Sequence, residues 1–285
     1  MCFNVFYMIR VGLKLTEGSG PEIARLLRRH PDVELEWIEA EGLSVLEALE
    51  GEGIAELVKE TGDLEGIDLY IGPEREGIAA AEELKAIYAG GEIVGVCEYS
   101  RKAMVRGGRS VRPADAATLL GALALMPLAK HLMLNREVAA TLLLPGKGGE
   151  RRVERMADEE LKELRDSILS ELQTSFRGEI EATAVRGGGG ETWACGVFDV
   201  DVKLSEAEAR KIYEDFYGDH RHTVLTDKAI TNKMTEGTNK AAIGLRSRPG
   251  GLTVTVGFDP RYKAGAGNTV HAMNLLFGLD ERIGL

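Results

Sequence analysis

The feature that most limits the fold is a rhythm in the first hundred residues, where short apolar runs alternate with helix-length segments. "MIRVGL" from Met8 reads as a buried strand, "EIARLLRRH" as a helix with Ile23, Leu26 and Leu27 on one face, and "DVELEWIEA" as an alternating strand. "LSVLEALEGEGIAELVKE" is helical apart from its glycines, and "IDLYIGP" is a strand stopped by Gly72 and Pro73. "EGIAAAEELKAIYAGG" reads as a helix with a glycine stop, and "EIVGVCEYS" as a further strand. Strands separated by helices of this length predict a parallel sheet with helices on both faces.

From Pro113 the rhythm changes. "ADAATLLGALALMPL" reads as a buried helix interrupted by Pro127, and "EVAATLLLPG" as a strand. "ADEELKELRDSILSELQ" is amphipathic, with Leu161, Leu164, Ile168 and Leu172 at helical spacing. "GEIEATAV" and "TWACGVFDVDVKL" follow as strands around the loop "RGGGGE". "SEAEARKIYEDFY" carries a capping Ser205 with Glu208 three residues on. "KAAIGLRS" and "LTVTVGFD" are strands joined by "RPGG", and "NTVHAMNLLFGL" is a closing helix. Neighbouring strands now predominate, which predicts an α+β region with a mainly antiparallel sheet and helices on one face.

A chain of 285 residues is long enough for two such domains, and 44% hydrophobic with 28% charged residues is normal for a globular protein. The net charge of −11 argues against a nucleic-acid partner and against an anionic membrane surface. "RLLRRH" and "GGERRVER" are the basic stretches, and both read as solvated faces. Cys2, Cys97 and Cys195 are too few and too widely spaced for a disulfide framework or a metal-ligand pair, so a reducing cytoplasm is expected and no metal is. No apolar run approaches the ~18 residues of a membrane span. "MCFNVFYMIRVGL" lacks the order of a signal peptide, and Met8 is a candidate natural start.

The final segment, "DPRYKAGAGNTVHAMNLLFGLDE", resembles the closing motif of the N-acetyl-gamma-glutamyl-phosphate reductases, in which a lysine, a Gly/Ala-rich turn and an asparagine-bearing helix end the chain. The opening is similar too: strand, glycine turn, helix, then "HPDVEL". "ALALMPL", "RGGGGET" and "LSEAEARKIYEDFY" resemble family segments in the right order, so the likeness covers nearly the whole chain. It implies a Rossmann-like NAD(P)-binding domain over residues 1–112, an α+β domain over 113–263, and a last helix, 264–285, that returns to the first domain. A soluble homo-oligomer and NADP or NAD as cofactor are implied in the same way.

That family reduces an acyl phosphate to an aldehyde through a thioester, which requires a cysteine thiolate, an acid/base histidine and hydride from NADPH. The family's cysteine turn falls on "VRPADAATLL", where the nucleophile position is Ala114 or Ala116, with Asp115 beside them. The family's His-Arg-His motif has no counterpart in its own segment. "HRHTVLTD", with His220 and His222, follows "KIYEDFY" and reads as a surface connection after a helix. Cys97 and Cys195 read as small apolar residues of strands.

Against the family's Gly-x-x-Gly-x-x-Gly loop, Gly20 takes the third glycine, the second falls near Glu17 with Gly18 one place off, and the first falls near Lys14. Such glycines let backbone N–H groups approach a pyrophosphate at a helix N-terminus. Gly18, Ser19 and Gly20 are the cofactor-binding residues implied here, and the Glu17 carboxylate opposes them, so weak or absent NAD(P) binding is expected. Lys263, Gly265 and Asn268 match the family's turn at the nicotinamide pocket, with His271 and Asn274 on the following helix and Ala264 in place of the usual glycine. Two functions remain open on these residues. One is a non-reducing relative used for binding, regulation or assembly, with no catalytic residues of the family kind. The other is an NAD(P)-dependent oxidoreductase working through other groups, such as Asp115, Lys263 or His271.

Overall fold

The computed structural model describes residues 8–15, 21–40, 47, 49, 54–73, 75, 84–88, 110–111, 113–134, 137–145, 154–172, 179–187 and 193–285. The described residues divide into two compact units, one running to Pro113 and resuming over Gly265–Leu285, the other spanning Ala114–Ala264. The helices are α1 (Glu22–Arg29), α2 (Ala116–Lys130), α3 (Asp158–Leu172), α4 (Glu206–Tyr217), α5 (Pro260–Lys263) and α6 (Ala266–Phe277).

In the first unit β1 (Ile9–Leu15), β2 (Val33–Ala40), β3 (Leu69–Gly72), β4 (Lys85–Tyr88) and β5 (Ser110–Val111) form a five-stranded sheet in the order β2-β1-β3-β4-β5. Every neighbouring pair is parallel, as the alternation of segments predicts. Ile9, Val11, Leu13 and Leu15 point into a core shared with Leu27 of α1 and with Val270 and Met273 of α6. On the opposite face Trp37 packs with Tyr70, Leu84 and Ala86. A Cβ at Gly12 or at Gly62 would lie within 2.5 Å of the Trp37 ring, so these two glycines are what lets the indole lie flat on the sheet.

Three expectations are corrected in this unit. β2 does not alternate throughout: its register with β1 shifts between Val11 and Gly12, leaving Glu36 as an extra residue, so that Leu35 and Ile38 reach the core while Trp37 turns to the other face. Lys85–Tyr88 is the strand β4 rather than the end of a helix. Ile87 is buried on one face and Ala86 on the other, and a strand buried on both faces has no period of two to distinguish it from a helix. Lys14 lies within β1, not in the turn after it, because Leu13 and Leu15 on either side keep the strand anchored in the core. The expected helix over residues 43–60 is described at Glu47, Leu49 and a short 3-10 turn, Ala55–Leu57. The strand expected at "EIVGVCEYS" lies outside the described residues.

The second unit is built on β6 (Val138–Pro145), β7 (Glu154–Arg155), β8 (Ile180–Gly187), β9 (Ala194–Val200), β10 (Thr223–Leu225), β11 (Ala241–Arg248) and β12 (Gly251–Phe258). They form a seven-stranded sheet in the order β10-β11-β12-β9-β6-β8-β7, mainly antiparallel, with parallel pairs only at β10–β11 and β6–β8. α2 lies over β9 and β12, α3 over β8 and α4 over β11, and all three share one core with Val138, Leu142, Phe198 and Val254. Leu161, Leu164, Ile168 and Leu172 are the buried face of α3, as their spacing predicts. α4 begins with a full capping box, the Glu208 N–H donating to Ser205 Oγ and the Ser205 N–H to Glu208 Oε2.

Pro127 does not interrupt α2, which runs on to Lys130 with every residue from Ala117 to Ala129 buried. Proline removes the N–H that would reach the Leu123 carbonyl four residues back. The Tyr217 hydroxyl supplies a donor to that carbonyl at 2.7 Å, and Tyr213 donates to the neighbouring Ala124 carbonyl. Among the described residues no helix is long and apolar enough to cross a membrane.

Candidate functional site

In the first unit the chain turns one way from β1 to β2 and the other way to β3, so the carboxyl ends of β1 and β3 form a topological switch point, the place where open parallel sheets bind ligands. Lys14, near the end of β1, and Glu39, near the end of β2, stand opposite one another in register. Glu39 is 7% exposed, and both of its oxygens have partners within the chain. Oε1 accepts from the Gly62 N–H at 2.7 Å and from Arg75 Nη1 at 2.9 Å, and Oε2 lies 3.3 Å from Lys14 Nζ. Arg75 also donates to the Gly62 carbonyl at 2.8 Å, and its guanidinium lies 5.8 Å from the centre of the Trp37 ring. A buried carboxylate is thereby held by two cations and one amide, with one positive charge in excess.

An acid at the end of the second strand is the group that holds ribose hydroxyls in dinucleotide-binding sheets. Here that carboxylate is already occupied by its own chain, so the described part of the site does not fit a dinucleotide in the usual way. Gly18, Ser19 and Gly20, with Glu17, lie outside the described residues. The Glu39–Arg75 pair escaped sequence reading: Glu39 is visible as the last acid of an alternating strand, but nothing in the sequence marks Arg75 as its partner.

The closing segment falls in both units. Lys263 ends α5 in the second unit and is 2% exposed. The fully buried Asp259 caps that helix, accepting from the Arg261 N–H at 3.0 Å, and also accepts from the Gly237 N–H at 2.9 Å. Gly265 and Asn268 belong to the first unit, where Gly265 is the N-cap of α6, its carbonyl accepts from the Thr269 N–H at 3.0 Å, and Asn268 is fully buried. His271 and Asn274 are tied to the chain end rather than to an open site. His271 Nε2 lies 3.0 Å from Glu281 Oε2, and Asn274 Nδ2 donates to the Ile283 carbonyl at 2.8 Å.

Asn274 Oδ1 lies 3.0 Å from His30 Nε2, and His30 Nδ1 accepts from the Asp32 N–H at 3.2 Å. Because Nδ1 accepts, the ring proton is on Nε2 and donates to Asn274. Burial lowers the His30 pKa, against smaller opposing effects of Asn274 and Asp32. Gly284, at φ +75, packs on the same ring, where a Cβ would come within 2.4 Å of it.

In the second unit the position expected for a nucleophile is the start of α2. Asp115 is its N-cap and accepts from the Thr118 N–H at 2.6 Å, with alanines on both sides. That carboxylate therefore has a structural partner. Cys195 stands mid-strand in β9, and burial pushes its thiol pKa up, away from the thiolate that nucleophilic chemistry needs. His220 and His222 follow α4 as expected, but they are packed rather than on a free surface connection: His222 is buried, and His220 stacks on Phe216 at 5.7 Å between ring centres. Cys97 lies outside the described residues. Among the described residues no group of three or more His, Cys, Asp or Glu side chains could hold a metal ion.

No protein-family model matches the chain. The N-acetyl-gamma-glutamyl-phosphate reductase of Parabacteroides distasonis is 30% identical to it over an alignment of 322 positions that takes in 98% of each chain. The enzyme of the same name from Phocaeicola vulgatus is 28% identical over the same extent. Among solved structures, aspartate semialdehyde dehydrogenase II from Vibrio cholerae, in complex with ASA, superposes with a TM-score of 0.67 at 15% identity, covering 95% of this chain and 98% of that one, which supports the fold. These relatives align with the chain end to end, and it belongs to the N-acetyl-gamma-glutamyl-phosphate reductase family.

Proposed function

We propose that this chain is a non-reducing member of its family, a two-unit scaffold used for binding, regulation or assembly, with NADP or NAD bound weakly or not at all. The observation that carries this reading is the sequence Ala114-Asp115-Ala116 at the start of α2. Acyl-phosphate reduction through a thioester needs a thiolate there, and neither alanine has a group to attack with. Asp115 is engaged as a helix cap, and a carboxylate cannot form a reducible thioester. The engaged Glu39 carboxylate at the end of β2 supports weak cofactor binding independently. The protein is read as a cytoplasmic homo-oligomer, as the family resemblance implies.

The purified protein is expected to show no NADPH-dependent reduction of N-acetyl-glutamyl phosphate and no reverse reaction with phosphate and the semialdehyde. Calorimetric titration with NADPH and NADH is expected to give no micromolar binding, and Glu17→Gly tests whether the loop acid is responsible. Binding gained in Glu17→Gly supports a disabled site. Micromolar binding to the native protein, or steady turnover lost on substituting Cys97 or Cys195, would favour an oxidoreductase working through relocated residues.

A further inference from the structure

A closed ring of hydrogen bonds stands at the switch point of the first unit. The Gly62 N–H donates to Glu39 Oε1 at 2.7 Å, Arg75 Nη1 donates to the same oxygen at 2.9 Å, and Arg75 Nη2 returns to the Gly62 carbonyl at 2.8 Å. Trp37 fixes the turn that carries Gly62. A Cβ on that glycine would lie 2.2 Å from the indole, and Trp37 Nε1 donates to the Asp63 carbonyl at 2.8 Å. Glu39, near the end of β2, and Gly62, ahead of β3, are thus set by the sheet and by the indole. Arg75 lies beyond the end of β3 and reaches in with a long side chain that is 25% exposed, against 9% for that of Glu39. It is the member of the ring that can leave without moving the sheet or the turn.

The place Arg75 takes is one that suits a ligand. An acid at the end of the second strand of such a sheet accepts from ribose hydroxyls. A carboxylate offers about four lone-pair positions, and the two adjacent hydroxyls of a ribose need two of them. Among the described residues the Gly62 N–H, Arg75 and Lys14, whose Nζ lies 3.3 Å away, take three. One position is left, so the diol cannot be held. Withdrawal of Arg75 frees the second position and leaves the charge of Glu39 balanced by Lys14.

We propose, building on the weak cofactor binding put forward above, that Arg75 is an internal ligand: it occupies the place of a nucleotide ribose on Glu39, and its withdrawal opens the site to a ligand carrying a vicinal diol. The contact is autoinhibitory, because the guanidinium and the ribose compete for the same carboxylate. It also sets the class of ligand admitted. A freed Glu39 accepts from hydroxyls and repels a phosphate at the 2′ position, so the opened site takes NADH and discriminates against NADPH.

Calorimetric titration of the full chain with NADH and with NADPH tests this, with far-ultraviolet circular dichroism as a check that each variant is folded. All variants carry Glu17→Gly, so that the loop acid does not mask the strand end. Arg75→Met keeps the length of the side chain but has no N–H to donate. It is expected to lower the NADH dissociation constant at least about tenfold relative to Glu17→Gly alone, and to leave that of NADPH within about threefold. Arg75→Ala is expected to do the same. Adding Glu39→Gln to either is expected to cancel the gain, since the amide has one acceptor oxygen in place of two. NADH affinity equal, or equally undetectable, with and without Arg75 would overturn the proposal, as would a gain that NADPH shares or one that survives Glu39→Gln. Micromolar NADH binding by the native protein would count against weak cofactor binding instead, and the ratio between Arg75→Met and its parent would still decide the role of Arg75.

Discussion

The hydroxyl of Tyr217 lies 2.7 Å from the carbonyl of Leu123, the oxygen that Pro127 deprives of its helical donor. A side chain of α4 thereby completes the backbone of α2 in the middle of a buried helix. Tyr217→Phe leaves that carbonyl without a donor and is expected to destabilise the second unit by about 1–2 kcal/mol. In a Pro127→Ala background the helical N–H is restored and the same substitution is expected to lose less than about half that amount. Urea denaturation of the four proteins of this cycle measures the coupling; equal losses in both backgrounds would mean that the proline and the tyrosine are unrelated.

Leu132, just beyond the C-terminus of α2, is the one non-glycine residue with positive φ among the described residues, at 55°, and its side chain is 69% exposed. This is the place where helices usually end in glycine, because a Cβ is strained in the left-handed region. Leu132→Gly removes the strain without opening the core and is expected to stabilise by about 0.5–1 kcal/mol. Differential scanning calorimetry should show a higher Tm; an unchanged or lower one would indicate that the leucine has a packing role.

His30 makes the docking of the chain end pH-dependent. Its folded pKa is lowered, chiefly by burial, so the unfolded chain binds the proton more readily. The stabilisation is therefore complete above about pH 6.5, the unfolded value, and is lost as pH falls towards the depressed folded value. Protonation also puts a hydrogen on Nδ1, which now accepts from the Asp32 N–H. Urea midpoints of the native protein should fall between pH 7.5 and 5.5 more steeply than those of His30→Ala. Parallel pH profiles would remove His30 from the account.

Arg75 is expected to contribute through Glu39. Arg75→Ala leaves a carboxylate that is 7% exposed with one cation fewer and is expected to destabilise the first unit by about 1–3 kcal/mol. Adding Glu39→Gln to Arg75→Ala removes the buried charge as well, so the double variant is expected to be more stable than the sum of the two single losses. Strict additivity in denaturation would show that the two groups do not interact.

Where one face of an element is buried and the other wet, the sequence is legible: β6 and α3 follow their periods residue by residue. Legibility failed where both faces are covered. β4 shows no alternation because Ala86 and Ile87 are buried on opposite sides, and α2 shows no amphipathicity to set against its proline. At the candidate site the two alanines flanking Asp115 are legible in the sequence, since the presence or absence of a thiol is a matter of residue type. The engagement of Glu39 could not, because Gly62 and Arg75 approach it from segments 23 and 36 residues away. Glycine spacing counted outward from α1 places Lys14 in the turn, whereas the strand is fixed from its own side by Leu13 and Leu15.

The chain has two tryptophans, and the fold places one in each unit: Trp37, clasped by Gly12 and Gly62, and Trp193, lying on Gly257. Each unit therefore carries its own intrinsic fluorophore. Trp193→Phe leaves emission that reports the first unit alone, and Trp37→Phe leaves the second. Whether the units melt together or in sequence can thus be followed by emission without any added label, since coincident transitions are the mark of a single cooperative step.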